Sequence, residues 1–321
     1  MIFRIVGANY QSQPELNGVA PNCQIISVKI GDTRLGTMET THSLARALMY
    51  VATTGADLIN LSYGEPAMIT GSGRLVELIN QLVEEKVCFL VFLTLLLTDV
   101  VPQGIIFVSS AGNDGPALST IGAPAATTDA IVAVGAYVSP ALMDAAHSLV
   151  DKLPELPYTW TSRGPALDHT LGVTVAAPGG AIAPVPTWAL QRSTLMEGTS
   201  MASPNCCGSI ALLLSALKAQ GKQYSPIRIK RALQNTARPV RGNDPFAYGA
   251  GLIQIEKAYD RLMEHIDLRD EDVLLTATLP QLRKAKGIYL REAPNNDRVS
   301  QLRIEVRMRR AFEALCSWRF A

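Results

Sequence analysis

The sequence predicts an α/β fold in which helices cover both faces of a parallel β-sheet. Several short segments are apolar and rich in β-branched residues without polar alternation, which is typical of strands buried on both faces. Longer segments with apolar residues at helical spacing lie between them, and this alternation predicts a parallel sheet. The predicted strands are 24–30, 57–63, 104–112, 130–137 and 172–179, and the predicted helices are 38–55, 73–86, 203–221 and 225–237.

The composition favours one large soluble domain with some additional material. The chain has 321 residues, of which 48% are hydrophobic and 18% are charged, so it can bury a substantial core. Its net charge of +1 gives no reason to expect a nucleic acid or an anionic membrane surface as a partner.

The cysteines indicate neither a disulfide framework nor a metal site. The five cysteines are odd in number, irregularly spaced and without a C-x-x-C pair, at positions 23, 88, 206, 207 and 316. We therefore expect no metal and no other cofactor. The first ten residues contain too short an apolar run for a signal peptide, and we expect a cytoplasmic protein.

Segment 197–217 places a serine at the start of a predicted buried helix. Gly198 and Thr199 precede Ser200, and Pro204 suits the first turn, where a missing N–H leaves no bond unmade. At a helix start the Ser200 N–H would stabilise a developing oxyanion. On these residues alone, the pattern also fits a hydroxyl helix cap in front of a core helix.

Three other stretches end predicted strands or form turns in a familiar order. They are SSAGNDGP (109–116), which contains Asn113, TSRGP (161–165) and VAAPGG (175–180). Together with GTSMASP (198–204) they resemble the motifs of the subtilisin-like serine peptidases. The resemblance is closest to the tripeptidyl-peptidase branch of that family, and it covers about residues 5–86 and 104–292.

The resemblance implies a mechanism and a set of site residues. Ser200 would be the nucleophile and Asn113 the side-chain donor to the oxyanion. Glu39 and Glu65 match positions that hold the free α-ammonium group of a peptide substrate. Three extended residues span about 10 Å, so an amine held at that distance from the serine presents the third peptide bond. On the residues alone, each glutamate would be interpreted as a solvated charge at a helix end.

The resemblance also implies a substrate groove and an assembly. Ser62, Tyr63 and Gly64 would line the groove, where an extended peptide would pair with their backbone as an added strand. The expected partners are peptides with a free amino terminus, and the family implies a homo-oligomer.

The chain shows no histidine in the context that the family uses for its catalytic base. Family members order Asp, His and Ser along the chain, with the histidine in an H-G-T-H segment ahead of NGVAP (17–21). By register that histidine would precede Met1, with the aspartate further upstream, so we expect a domain that is incomplete at its N-terminus. We interpret His42 as a half-exposed helix residue and His147, His169 and His265 as surface residues.

Two segments depart from the family. Segment 87–103 is apolar but too short for a bilayer-spanning helix of about 20 residues. A retained intron is our preferred hypothesis for it, and a membrane-dipping or partner-binding insertion is the alternative. Residues 296–321 could form a basic helix with Arg303, Arg307, Arg309 and Arg310 on a solvated face, although a frame or splice error is the simpler account.

We divide the chain into a partial peptidase domain, 1–265, and the start of a following domain with a divergent tail, 266–321. Two functions remain open. The first is a serine exopeptidase that releases tripeptides through an acyl-enzyme on Ser200. The second is an inactive fragment, or pseudo-peptidase, that binds peptide amino termini through Glu39 and Glu65 but has no base to activate the serine.

Overall fold

The computed structural model describes residues 2–32, 34, 38–66, 71, 73–84, 104–185, 190, 191, 193–242, 244–266, 273–282, 285–289 and 302–310. The helices are α1 (Ile2–Gly7), α2 (Thr41–Thr53), α3 (Arg74–Glu84), α4 (Pro140–His147), α5 (Thr199–Ala219), α6 (Pro226–Thr236), α7 (Pro245–Tyr248) and α8 (Ile255–Glu264).

The strands are β1 (Gly31–Asp32), β2 (Met38–Glu39), β3 (Leu58–Leu61), β4 (Glu65–Pro66), β5 (Ile106–Ser110), β6 (Gly122–Ala123), β7 (Val132–Val138), β8 (Leu156–Pro157), β9 (Val175–Pro178), β10 (Gly180–Pro184), β11 (Ser193–Glu197), β12 (Val273–Thr278) and β13 (Glu305–Arg310). The segments 87–103 and 290–301 lie outside the described residues.

A five-stranded sheet organises the molecule. Strands β3, β5 and β7 run parallel, and β9 also runs parallel to β7. The α/β prediction is confirmed, but the sheet is mixed because the short strand β8 pairs antiparallel with the end of β7.

Helices cover both faces of this sheet, as the buried strand pattern predicts. Successive residues of β5 point to opposite faces, so Ile106 and Val108 pack with α5, α6 and α8 in one core cluster. Phe107 packs on the other face with residues of α2 and α3. Because apolar side chains cover both faces, the strand reads as a continuous apolar run.

The prediction of a strand at 24–30 is wrong. These residues form no strand in the structure, and Ile25 and Ile26 are 42% and 49% exposed. A β-branched apolar run has strand propensity, but a strand also needs a neighbour with which to pair, and local sequence does not specify that neighbour.

Two further predictions need correction. The strand predicted at 57–63 is only four residues long, and its side chains are half-buried rather than buried. A basic helix is predicted in the tail, but its described residues Glu305–Arg310 form strand β13, which pairs antiparallel with β12. The sequence EVRMRR alternates apolar and charged residues, and this period of two is that of a strand.

Helix α5 crosses the core beneath the sheet. Among the described residues, this helix is long and apolar enough to cross a membrane by length and composition. However, 61% of its most apolar stretch is buried inside the molecule, as in a core helix. Its residues Ile210 and Leu217 are fully buried in the same cluster as Val108.

Candidate active site

Ser200 lies in the first turn of α5, close to the carboxyl end of β3. The helix begins at Thr199, and its N-cap residue Gly198 donates its N–H to the Gly179 carbonyl at 2.8 Å. The Ser200 hydroxyl donates to the Ser62 carbonyl at 3.2 Å. A serine at this point has its hydroxyl at the positive end of a long helix dipole.

Pro204 does not lie in the first turn, as the sequence predicts, because the helix begins earlier. It is inside α5, five residues after Thr199. A proline there has no N–H for the carbonyl four residues before it, which is the carbonyl of Ser200. The helix therefore lacks one backbone hydrogen bond at the serine itself.

Asn113 follows β5 and is held by the start of α5. Its Oδ1 accepts hydrogen bonds from the Thr199 N–H at 3.0 Å and from the Thr199 hydroxyl at 2.9 Å. Since the oxygen is occupied by these two donors, the amide nitrogen is the part of the side chain left to donate elsewhere. This is the orientation that a donor to an oxyanion requires.

Sequence reasoning missed the role of Thr199. Its side chain is fully buried, and its hydroxyl also accepts from the Gly112 N–H at 3.2 Å. Thr199 thus holds both the side-chain amide of Asn113 and the backbone N–H of the preceding residue, Gly112. A threonine at a helix start is typical of a cap, and nothing local indicates a partner 86 residues away.

A second polar chain ties α5 to the end of β3. Ser203, fully buried and one turn after Ser200, donates to Asn60 Oδ1 at 2.6 Å. Asn60 in turn donates to the Ser62 hydroxyl at 2.9 Å. These bonds hold the helix carrying Ser200 against the strand end that carries Ser62.

The structure brings six of the seven predicted site residues into one cleft. The cleft has a volume of about 290 Å³. Its lining includes Ser62, Tyr63, Gly64, Glu65, Asn113 and Ser200, together with Gly112, Asp114 and Thr199. The seventh, Glu39, has its backbone in β2, paired with Gly31, and its side chain lies outside the described part of the chain.

Close backbone contacts place Glu65 in this cleft. Strand β4 pairs antiparallel with β6, with Glu65 opposite Ala123. A side chain at Gly64 would meet the Ala123 carbonyl at 2.8 Å, and one at Gly122 would meet the Glu65 carbonyl at 2.9 Å. Glycine at both positions lets the two segments approach, and the Glu65 side chain remains exposed.

The comparison with known families decides the affiliation. A family model described as "Subtilase family" matches residues 4–251. The chain belongs to the subtilase family. Tripeptidyl-peptidase 2 of Arabidopsis thaliana is 50% identical over 293 residues, which are 90% of this chain and 20% of that protein. The Drosophila melanogaster protein of the same name is 44% identical over 297 residues, which are 91% of this chain and 19% of that protein.

A solved structure agrees with this affiliation. The crystal structure of tripeptidyl peptidase 2 matches with a TM-score of 0.71 and 39% identity, covering 91% of this chain and 21% of that one. The chain therefore spans about a fifth of the length of these relatives.

In the described part of this subtilase chain, the Ser200 hydroxyl is bonded to the Ser62 carbonyl and not to a histidine. His42 is exposed on α2, and His147, also exposed, contacts Glu197. The prediction that His169 and His265 are surface residues is wrong, because both are half-buried. His169 Nδ1 lies 3.2 Å from the Gly287 carbonyl, and the Nε2 atom of His265 is buried.

The cysteines and acidic residues form no metal site in the part of the chain that the structure describes. Cys23, Cys206 and Cys207 are free thiols. Burial raises the pKa of Cys206 to about 12, so this thiol stays protonated and unreactive.

Proposed function

We propose that this chain forms the serine-bearing part of a peptidase that releases tripeptides from peptides with a free amino terminus. One observation carries the proposal: a single cleft holds Ser200, Asn113 and Glu65. The name shared by the similar proteins, tripeptidyl-peptidase 2, supports the same substrate class.

The reaction proceeds through an acyl-enzyme. The Ser200 oxygen attacks the carbonyl carbon of the third peptide bond, while Asn113 and the Ser200 N–H donate to the developing oxyanion. The C–N bond then breaks, the leaving amine takes a proton, and the tripeptide remains esterified to Ser200. Water hydrolyses the ester, which returns the hydroxyl and frees the tripeptide.

Glu65, together with Glu39, sets the length of the product by holding the substrate's α-ammonium group. The substrate runs in an extended form along Ser62, Tyr63 and Gly64 and pairs with their backbone. Without substrate, the Ser200 hydroxyl donates to the Ser62 carbonyl. A substrate N–H that donates to this carbonyl takes the place of the hydroxyl. Binding thereby frees the nucleophile.

The base and its carboxylate partner come, in this proposal, from outside the chain. A serine hydroxyl needs a histidine to take its proton. The partner of the Ser200 hydroxyl in the described structure is a carbonyl, which cannot act as a base. That observation favours the second candidate, a non-catalytic chain that binds peptide amino termini. A cytoplasmic location and a homo-oligomer remain part of the proposal.

Hydrolysis of a tripeptide-amide reporter with a free amino terminus tests the first candidate. The wild-type chain, Ser200→Ala and Asn113→Leu would be compared on this reporter and on its N-acetylated form. We expect Ser200→Ala to abolish the activity, and Asn113→Leu to lower it about 10²–10³-fold, the loss known for such a donor in subtilisin. Acetylation should abolish turnover.

Calorimetric binding of the same tripeptide distinguishes the second candidate. Suppose that the folded wild-type chain shows no turnover, yet binds the free-amine tripeptide and not its acetylated form. This result would support the binding function and contradict catalysis by this chain alone. Glu65→Gln should weaken that binding. If the chain shows no turnover and no binding that depends on the free amine, both candidates are contradicted.

A further inference from the structure

Glu197 occupies an unusual place, as the last residue of β11 and three residues before Ser200. Its Oε1 lies 2.8 Å from His147 Nε2 and accepts a hydrogen bond from the Tyr158 hydroxyl at 3.3 Å. The Glu197 side chain is 23% exposed and that of His147 is 45% exposed. The proposed mechanism uses none of these three groups.

The end of the β10–β11 hairpin next to Ser200 rests on a fixed surface. Gly180 is paired with Glu197 across the hairpin. A side chain at Gly180 would meet the Tyr158 hydroxyl at 2.6 Å and Leu142 of α4 at 2.9 Å, so the backbone lies directly on both. Tyr158 is itself buried and stacks on Trp160 with ring centroids 4.6 Å apart.

Two residues separate Glu197 from Ser200, and the backbone N–H of each donates a hydrogen bond to another part of the chain. Gly198 caps α5 without a side-chain hydrogen bond. Its N–H is bonded to Gly179, and the next residue, Thr199, is bonded to Asn113. The start of the helix is therefore held by the incoming strand on one side and by Asn113 on the other.

We propose that Glu197 is a positioning residue for Ser200, and that protonation of His147 tightens its hold on the strand entering α5. The inference rests on the proposed function only in taking Ser200 as the nucleophile. Tyr158 keeps its proton, because burial and then the nearby Glu197 raise its pKa. Asp144, one turn before His147 on α4, is paired with Lys152. The remaining partner of Glu197 is His147, and histidine is the residue type that proteins use as a switch between about pH 5 and 8.

Hydrogen exchange on the full chain tests this without requiring activity. Protection factors at pH 5.5 and pH 8 would be measured by mass spectrometry for peptides covering 193–200 in wild type, Glu197→Gln and His147→Gln. Glu264→Gln removes a carboxylate from a surface ion pair with Arg261 and is the matched control. Glu197→Gln keeps an acceptor for Tyr158, so it should fold.

We expect wild-type protection in 193–200 to be about two- to fivefold higher at pH 5.5, the range typical of partly exposed ion pairs. This pH dependence should disappear in Glu197→Gln and in His147→Gln and persist in Glu264→Gln. A dependence that persists in both site variants, or equal loss of protection throughout the molecule, would overturn the inference.

Labelling of Ser200 with a fluorophosphonate separates this inference from the proposed function. A lower labelling rate in Glu197→Gln than in the control supports the positioning role, and equal rates contradict it. If no variant is labelled, wild type included, this chain does not activate Ser200 by itself, and catalysis by the chain alone is contradicted. The exchange result then decides by itself whether Glu197 holds the strand.

Discussion

At the scale of single residues, Thr199 joins the two groups proposed to act on the substrate. It precedes Ser200 in the chain and bonds Asn113 through both its N–H and its hydroxyl. A side chain that is fully buried yet polar must have its hydrogen bonds satisfied, and here they are satisfied by Asn113 and Gly112. The geometry of the oxyanion donor therefore depends on a residue that never contacts the oxyanion through its side chain.

Thr199→Val tests this dependence because valine has nearly the same shape and no hydroxyl. The change leaves the Gly112 N–H without its acceptor and removes one donor to Asn113, so we expect a loss of about 1–3 kcal/mol in the free energy of unfolding. Denaturant unfolding followed by circular dichroism measures it. Thr194→Val in β11 is the control and should change stability by less than about 0.5 kcal/mol. Equal effects of the two substitutions would contradict the assigned role.

At the scale of elements, Glu155 connects three parts of the chain. It precedes β8, and its carboxylate accepts two hydrogen bonds from Arg238, which follows α6, at 2.7 and 3.0 Å. Tyr137 of β7 donates to it at 2.9 Å. The hydrogen bonds from Arg238, the largest cause, lower the pKa of Glu155 from 4.5 to about 2.

This lowered pKa predicts how stability depends on pH. The folded protein holds the Glu155 carboxylate ionised, so its contribution is fully present above pH 4.5 and is lost as the pH falls towards 2. Glu155→Gln should therefore cost about 1–2 kcal/mol near pH 7. The difference from wild type in denaturant unfolding should shrink between pH 4.5 and 2. Glu77→Gln, which removes an exposed pair with Arg74, is the control and should have almost the same free energy of unfolding as wild type at any pH. If Glu155→Gln is less stable than wild type by the same amount at every pH, the argument is contradicted.

The elements also show which features are readable from sequence. Strands β5, β7 and β9 and helices α2, α3, α5 and α6 were predictable, because periodicity is a property of each segment alone. The cleft was predictable as well, since Ser62 and Asn113 follow β3 and β5, whose carboxyl ends meet at one edge of the sheet. The bonds from Thr199 to Asn113 and from Arg238 to Glu155 were not, because each joins residues more than 80 positions apart in the chain. Whether 24–30 forms a strand likewise depends on a neighbouring strand with which it could pair, and the segment's own sequence does not specify one.

At the scale of the whole molecule, two features of the described chain leave backbone groups available to another molecule. In the described part of the chain, β3 pairs with β5 on one side and with no strand on the other. Residues 24–30 form no strand, and the neighbouring side chains of Ile25 and Ile26 are about half exposed. An exposed β-branched run and an open sheet edge both offer backbone groups to another chain.

We therefore expect the protein to self-associate in a concentration-dependent manner, and Ile26→Lys to reduce this association. A lysine in a segment available for pairing opposes stacking of like chains through charge repulsion and through loss of an apolar contact. Light scattering over a range of protein concentrations measures the effect. Leu118→Lys, which places the same charge at a similarly exposed residue outside 24–30, is the control. If both variants reduce association equally, net charge alone is responsible; if Ile26→Lys alone does so, the unpaired segment is the surface through which the molecules meet.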